Sequence, residues 1–307
     1  MTGRSGLVLI LALLGAGWGI TQPLAKIAVS GGYRHFGIIF WQLAIATVIL
    51  GTITVLRGRG LPLGRRHVLL YAAVALTGTL IPNAASYQAA VHLPAGIISI
   101  LMSLVPMVAF PMALALGTDR VSWGRFAGLA FGLAGVAMIV GPEASLPDPA
   151  LAFFIPLALV APFFYAVEGN IVGTWGMQGL DPIQVLFGAS AVGLVIALPL
   201  ALLTGHFIDP RGPWGAPEAA IALSSLVHAG VYAGYVWMVG RAGAVFAAQV
   251  SYLVTASGVL WAMAILGERY PPTVWAAMLM MFAGLFLVQP RPSASVAVPA
   301  GLGKNAV

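Results

Sequence analysis

Apolar residues in this chain neither alternate nor recur every third or fourth position; they run on. LVLILALLGAGWGITQPLA (7–25), IIFWQLAIATVILGTITVL (38–56) and VLFGASAVGLVIALPLALL (185–203) show the pattern. A helix needs about 20 predominantly apolar residues to cross a bilayer. Ten segments meet that requirement, at roughly 6–29, 36–56, 67–90, 94–116, 122–141, 151–174, 182–204, 217–239, 243–266 and 272–289. Short connections rich in Gly, Pro and charge separate them, such as RGRGLPLGRR (57–66) and GPEASLPDP (141–149). Continuous runs exclude a membrane β-barrel, whose strands alternate apolar and polar residues. The opening MTGRSGLVLILALLGAG has the ingredients of a secretory signal, but the apolar run continues to Val29 and predicts a first spanning helix.

Composition agrees with this pattern. Hydrophobic residues make up 60% of the 307, charged residues only 7%, and mean hydropathy is +0.99. About a quarter of an ordinary soluble domain is charged, so these side chains cannot coat a water-soluble surface. The expected class is an all-α integral membrane protein in the cell (inner) membrane. The net charge of +6 does not point to nucleic acid, because the basic residues sit in short loops between apolar runs. They set orientation instead. With the N-terminus in the cytoplasm, Arg4, Arg57, Arg59, Arg65, Arg66, Arg120, Arg125, Arg241, Arg291 and Lys304 lie inside, and Lys26, Arg34, Arg211 and Arg269 lie outside. Both termini are therefore expected on the cytoplasmic side. Residues 291–307 are too polar and too rich in Gly and Pro to span, and are expected to form a flexible tail.

The ten segments divide into two sets of five, 6–141 and 151–289. Ser99–Gly117 matches Gln249–Gly267 at an offset of 150, with junctions ALALGTDR (113–120) and AMAILGER (262–269). LAGVAMIVGP (133–142) matches FAGLFLVQP (282–290), and LALLGAGWGITQPLAK (11–26) matches LALVAPFFYAVEGNIV (157–172) at an offset of 146. Five is odd, so the second set enters the membrane from the opposite side. Inverted repeats are characteristic of secondary transporters, which bind substrate between the halves near the midplane.

These same residues resemble a known family. Trp18-Gly19 followed by Lys26, the ending LGTDR, the stretch AQVSYLVTASGVLWAMAILGERY (248–270), and GLAGV (132–136) with FAGLF (282–286) are similar to paired EamA-type units of the drug/metabolite transporter superfamily, over residues 6–290. The resemblance implies a ten-helix fold of two inverted five-helix repeats that carries small metabolites, often exporting amino acids or drugs. The chain departs from the family pattern in two places. The second span has WQL (41–43) where an Arg is usual, and Thr118 followed by Asp119 replaces the usual Glu after Leu-Gly.

A pocket between spans should show as polar and aromatic residues at helical spacing. Thr79, Asn83 and Tyr87 meet this on span 3, as do His228, Tyr232 and Tyr235 on span 8, Gln249 and Tyr252 on span 9, and Ser99, Met102, Ser103 and Pro106 on span 4. Trp18 and Gln22 join them at the aligned positions of Phe164 and Glu168. Taken singly, each residue reads first as interhelical glue; together the faces read as a cavity lining for one small-molecule substrate. No Lys or Arg falls at the centre of a span, which disfavours phosphorylated cargo. Glu168 has two readings: it contacts a substrate amine or a proton at the inner mouth and tunes transport with pH, or it reaches the headgroups or pairs with a cytoplasmic-loop Arg.

Pro106 and Pro111 make span 4 the candidate hinge, with Gly258 at the corresponding place in span 9. Gly124, Gly128, Gly132 and Gly135 form a small-residue stripe on span 5, a packing surface first and a homodimer seam second; a monomer in membrane lipid is the base expectation. The five histidines lack metal-ligand spacing, Cys is absent, and no catalytic motif or phosphate loop occurs. No enzyme activity, cofactor or metal is expected. A carrier for amphipathic metabolites, most simply an amino-acid exporter, heads the function classes, ahead of a broad drug efflux carrier and a channel.

Overall fold

The computed structural model describes residues 4–140, 148–247 and 249–288. Residues 141–147 of the central linker and the C-terminal tail expected from sequence lie outside these described residues. Among them the chain is entirely helical. In chain order the helices are α1 (Arg4–Ser30), α2 (His35–Leu56), α3 (Arg65–Ala75), α4 (Ile81–His92), α5 (Ala95–Met102), α6 (Val105–Ala115), α7 (Trp123–Val140), α8 (Ile155–Trp175), α9 (Pro182–Leu203), α10 (Ala216–Ala242), the short α11 (Ala244–Ala247), α12 (Val250–Leu266) and α13 (Pro272–Val288). Among the described residues, eight helical stretches are long and apolar enough to cross a membrane; α12 and α13 are shorter apolar helices. Large apolar side chains face outward, including Leu13 (63% exposed), Val48 (69%), Val195 (73%) and Phe286 (73%). In water that surface would aggregate; against lipid tails it costs nothing. The protein is a multi-pass membrane protein.

Two predicted spans are interrupted, each for a local reason. Span 3 comprises α3 and α4 joined by a π-helical turn at Leu76–Leu80. Pro82 brings no N–H and its ring crowds the carbonyl of Gly78, so the backbone widens and the Ile81 N–H reaches back five residues to Leu76 O. Span 4 breaks at Ser103–Leu104, between α5 and α6. Pro106 would clash there with the carbonyl of Met102, so the break lies where sequence placed a hinge. Pro111 sits inside an unbroken α6, and Gly258 inside an unbroken α12. Span 9 begins later than expected: after Gly243, at φ 86°, α11 closes and α12 starts at Val250.

Small residues bring helices into contact. A methyl group at Gly19 would run into the Ser257 hydroxyl and lie 2.7 Å from Gly258 N, so α1 and α12 meet nearly backbone to backbone. Ser257 Oγ donates to Gly15 O (2.9 Å) and Trp261 Nε1 to Ala16 O (3.0 Å) across this seam. The glycine stripe of α7 is filled from within the chain. Gly128 faces Gly284 O and Val288, Gly132 faces Met107, and Gly135 faces Met281. Gly124, the first residue of the stripe, is exposed and meets only Ser122.

The helix ends next to the α1–α2 turn are tied by polar contacts. Lys26 Nζ donates to Ala90 O (2.6 Å), Leu93 O (3.1 Å) and Val91 O (3.3 Å) at the end of α4. Glu268 accepts from the first amides of α5, Ala95 N (2.8 Å) and Gly96 N (3.2 Å), where a helix N-terminus favours an anion. Tyr270 OH donates to Glu268. Tyr33 OH donates to Glu218, which also accepts from Gly215 N at the start of α10. Trp41 Nε1 donates to Ile208 O (2.9 Å). In the loop beyond α9, hydrogen bonds from Arg211 hold the Asp209 carboxyl down to about 2, below its ordinary range.

Candidate substrate cavity

A cavity of about 390 Å³ lies between α1, α2, α4, α8, α9, α10 and α12, with the break between α5 and α6 on its wall. The volume falls in the range of small-molecule sites. Its lining runs from Ala25 and Tyr87 to Leu50, Val74, Leu186 and Val250. Leu186 and Val250 lie near helix ends on the side where α1 begins. On the opposite side the cavity is roofed by buried Ala28, Val29, Ile38 and Leu93, directly beneath the contacts of Lys26 and Glu268.

Nine of the expected residues line this space: Trp18, Gln22, Thr79, Asn83, Tyr87, Met102, Glu168, His228 and Tyr232, with Pro106 beside them. Six others lie off the lining, each held by a local contact. Ser99 Oγ donates to Ala95 O (3.1 Å), and Ser103 Oγ to Ile100 O (2.7 Å) and Met281 S (3.4 Å). Both hydroxyls are satisfied in the preceding turn of their own helix. Phe164 packs edge-on against Phe163. Tyr235 packs at a tilt against Trp18, with ring centroids 5.5 Å apart. Gln249 occupies the turn before α12, and Tyr252 packs against Phe282.

The polar part of the lining is a hydrogen-bonded chain across three helices. Tyr165 OH donates to Asn83 Oδ1 (2.8 Å), Asn83 Nδ2 donates to Gln42 Oε1 (2.9 Å), and Tyr87 OH donates to the same oxygen (2.9 Å). Gln42 and Tyr165, absent from the sequence-based set, both line the cavity. Gln42 belongs to the WQL stretch (41–43) that departs from the family pattern. Opposite, Trp18 Nε1 donates to His228 Nδ1 (3.2 Å), so the neutral imidazole carries its proton on Nε2. Trp18 also lies edge-on to Tyr232 at 6.0 Å.

Glu168 opens into this space rather than toward the headgroups. Its carboxyl lies against Gly78 in the π-helical turn: a methyl group there would come within 2.5 Å of Cδ. The pairing with a loop arginine entertained from sequence is not formed. Among the described residues the ion pairs are Arg59–Asp181 (3.6 Å), Arg125–Asp119 and Arg211–Asp209 (2.7 Å). Lys26 turns away to the α4 carbonyls. No group of three or more His, Cys, Asp or Glu residues able to hold a metal occurs among the described residues.

Comparison with known proteins agrees with this architecture. The sequence profile of the EamA-like transporter family matches residues 5–141 and again residues 152–289. A probable terminal-alkyne amino-acid exporter of Streptantibioticus cattleyicolor is 24% identical over 280 residues, covering 89% of this chain and 90% of the relative. A protein of known crystal structure superposes with a TM-score of 0.62 at 17% identity, over 93% of this chain and 96% of that one, which shows a shared fold. Two family matches spanning most of the chain make it a transporter of small molecules rather than an enzyme: it belongs to the EamA-like transporter family.

Proposed function

We propose that the chain exports small amphipathic metabolites, amino acids foremost, by alternating access between two inverted five-helix repeats with both termini in the cytoplasm. The observation that carries this reading is the exchange of helix contacts between halves. The first repeat holds span 1 (α1), span 2 (α2), span 3 (α3–α4), span 4 (α5–α6) and span 5 (α7); the second holds spans 6 to 10 (α8, α9, α10, α12, α13). Span 1 packs on spans 8 and 9, and span 6 packs on spans 3 and 4. Span 2 packs on span 8, and span 3 on span 7. Spans 2 and 7, 4 and 9, and 5 and 10 pair with one another. Replacing each span by the one five places away reproduces these pairings, which supports the two-fold relation of an inverted repeat; the contacts of span 1 with spans 3 and 4, and of span 4 with spans 5 and 10, have no counterpart of similar size.

Such a pair of bundles has two arrangements of similar energy, related by the exchange of roles. The cavity reaches toward the α1-start side and is roofed on the other, which fits a state open to the cytoplasm and ready to load. The stitching of the roof is unequal between the halves: Glu268 caps α5, whereas its repeat counterpart, Thr118, donates to Ala113 O within its own junction (3.0 Å). The amino-acid assignment draws on the name of the Streptantibioticus relative and on the lining, which pairs ring faces with neutral donors and acceptors. His228 Nε2–H and Gln22 are donors suited to a carboxylate.

The test is a proteoliposome uptake panel of amino acids, nucleosides and cationic dyes, run with and without a proton gradient. Saturable uptake led by amino acids supports the reading. Preferential uptake of dyes would place the protein among drug efflux carriers instead.

A further inference from the structure

Of the thirty described residues that line the cavity, Glu168 is the only one with a charged side chain. Among the described residues it makes no ion pair, and no hydrogen bond reaches its carboxyl. The groups facing it are ring systems and one neutral imidazole. Tyr165 and Tyr232 lie within electrostatic reach, and Trp18 and His228 stand beyond Tyr232. A carboxylate held away from bulk water without a partner is costly, and chains keep such groups where function uses them.

The surroundings are shaped to hold the group there. The π-helical turn at Leu76–Leu80 places Gly78, which has no side chain, against the carboxyl, and any larger residue would collide with it. Single π-helical turns inside helices recur at functional sites. Trp18, Tyr165 and Tyr232 also line the cavity, and the faces of such rings attract cations. Each feature has a separate cause in the sequence: Pro82 opens the turn, Gly78 clears the space, and the aromatic residues of α1, α8 and α10 supply the rings. All three favour the same occupant.

We infer that Glu168, seated against Gly78 and flanked by Tyr165 and Tyr232, with Trp18 beyond, is the ammonium-binding site of the cavity, and that cargo must carry a protonated amine beside an apolar body. Amino acids, their esters and aromatic amines satisfy this requirement. Organic acids without an amine meet an uncompensated like charge and no Lys or Arg. The inference deepens the export reading and rests on it for the purpose of the site.

The test is calorimetric titration of the purified full chain in nanodiscs with three probes that share a phenyl ring and differ in charge: phenethylamine, 2-phenylethanol and 3-phenylpropionate. Phenethylamine is expected to bind at least about tenfold tighter than the alcohol, as one buried charge pair allows, with 3-phenylpropionate weakest. In Glu168→Gln the amine-to-alcohol ratio is expected to fall to about one, within the ~1.4 kcal/mol that tenfold represents. Gly78→Ala is expected to lower the ratio partway by crowding the carboxyl. The wild-type charge series decides the matter even if a variant does not fold. Equal affinities in the wild type, a preference for the acid, no binding by any probe, or a ratio that survives in Glu168→Gln would each overturn the site. Charge-selective binding without flux would keep the site and reject transport; flux of phenylalanine without charge selectivity would keep transport and reject the site.

Discussion

The Lys26 ammonium holds the roof of the cavity, and replacing it with Met tests how far. Met keeps the aliphatic length and removes the charge, so packing is largely preserved. The wild-type side chain makes two short hydrogen bonds, to Ala90 O and Leu93 O, and a longer one to Val91 O. A hydrogen bond involving a charged group contributes about 1.5–3 kcal/mol. The Val91 contact is exposed to solvent and adds little, and water can partly replace the others. A net loss of roughly 1.5–3 kcal/mol follows for the closed roof. If the roof opens in the transport cycle, that loss shifts the equilibrium toward the open form by roughly ten- to a hundredfold, at about 1.4 kcal/mol per tenfold. The chain has no Cys, so Ala25→Cys, at the cavity end beneath the roof, gives a single reporter. A membrane-impermeant maleimide applied from the roof side should label it at least about tenfold faster with Lys26→Met than without, in line with that shift. Equal labelling rates at equal melting temperature would refute the assignment of the roof as a gate.

Three further substitutions probe other parts of the account. Asn83→Leu removes the centre of the Tyr165–Asn83–Gln42–Tyr87 chain and leaves buried polar groups unmatched; thermal unfolding in detergent should show a loss of about 1–3 kcal/mol. Gly19→Val forces a branched side chain against the α12 backbone, and the same assay should show at least about 3 kcal/mol, the top of the overpacking range. Pro106→Ala restores the N–H that the break in span 4 lacks; the melting temperature should rise while transport turnover falls, and a faster turnover would argue against hinge motion at Ser103–Leu104.

Eight of the spans were legible in the sequence because each apolar run had to be long enough to cross lipid, and their ends are marked by Gly, Pro and charge; the last two fold as shorter apolar helices. The interruptions in spans 3 and 4 were less legible, since Pro82 and Pro106 could each have produced a kink, a break or a widened turn, depending on neighbouring packing. The cavity was half legible. Residues on helix faces with repeated polar spacing, such as Thr79, Asn83 and Tyr87, were found by that spacing. Gln42 was missed because it stands alone in an apolar run, and Tyr165 because it follows Phe163 and Phe164 and reads as more of the same apolar bulk. Ser99 and Ser103 carried the expected spacing yet point into their own helix, where the preceding turn satisfies their hydroxyls. Sequence spacing finds polar faces; it does not say whether the partner is the backbone or the lumen.

The central claim is that this chain is a carrier with a cavity exposed to one compartment at a time, and counterflow tests it most directly. Liposomes containing the purified protein are loaded with unlabelled phenylalanine, diluted, and given a trace of labelled phenylalanine outside. A carrier gives transient accumulation of label above equilibrium in loaded vesicles and not in empty ones, with a rate that saturates. Label that enters loaded and empty vesicles equally, rising linearly with concentration, would mean an open pore and would contradict alternating access.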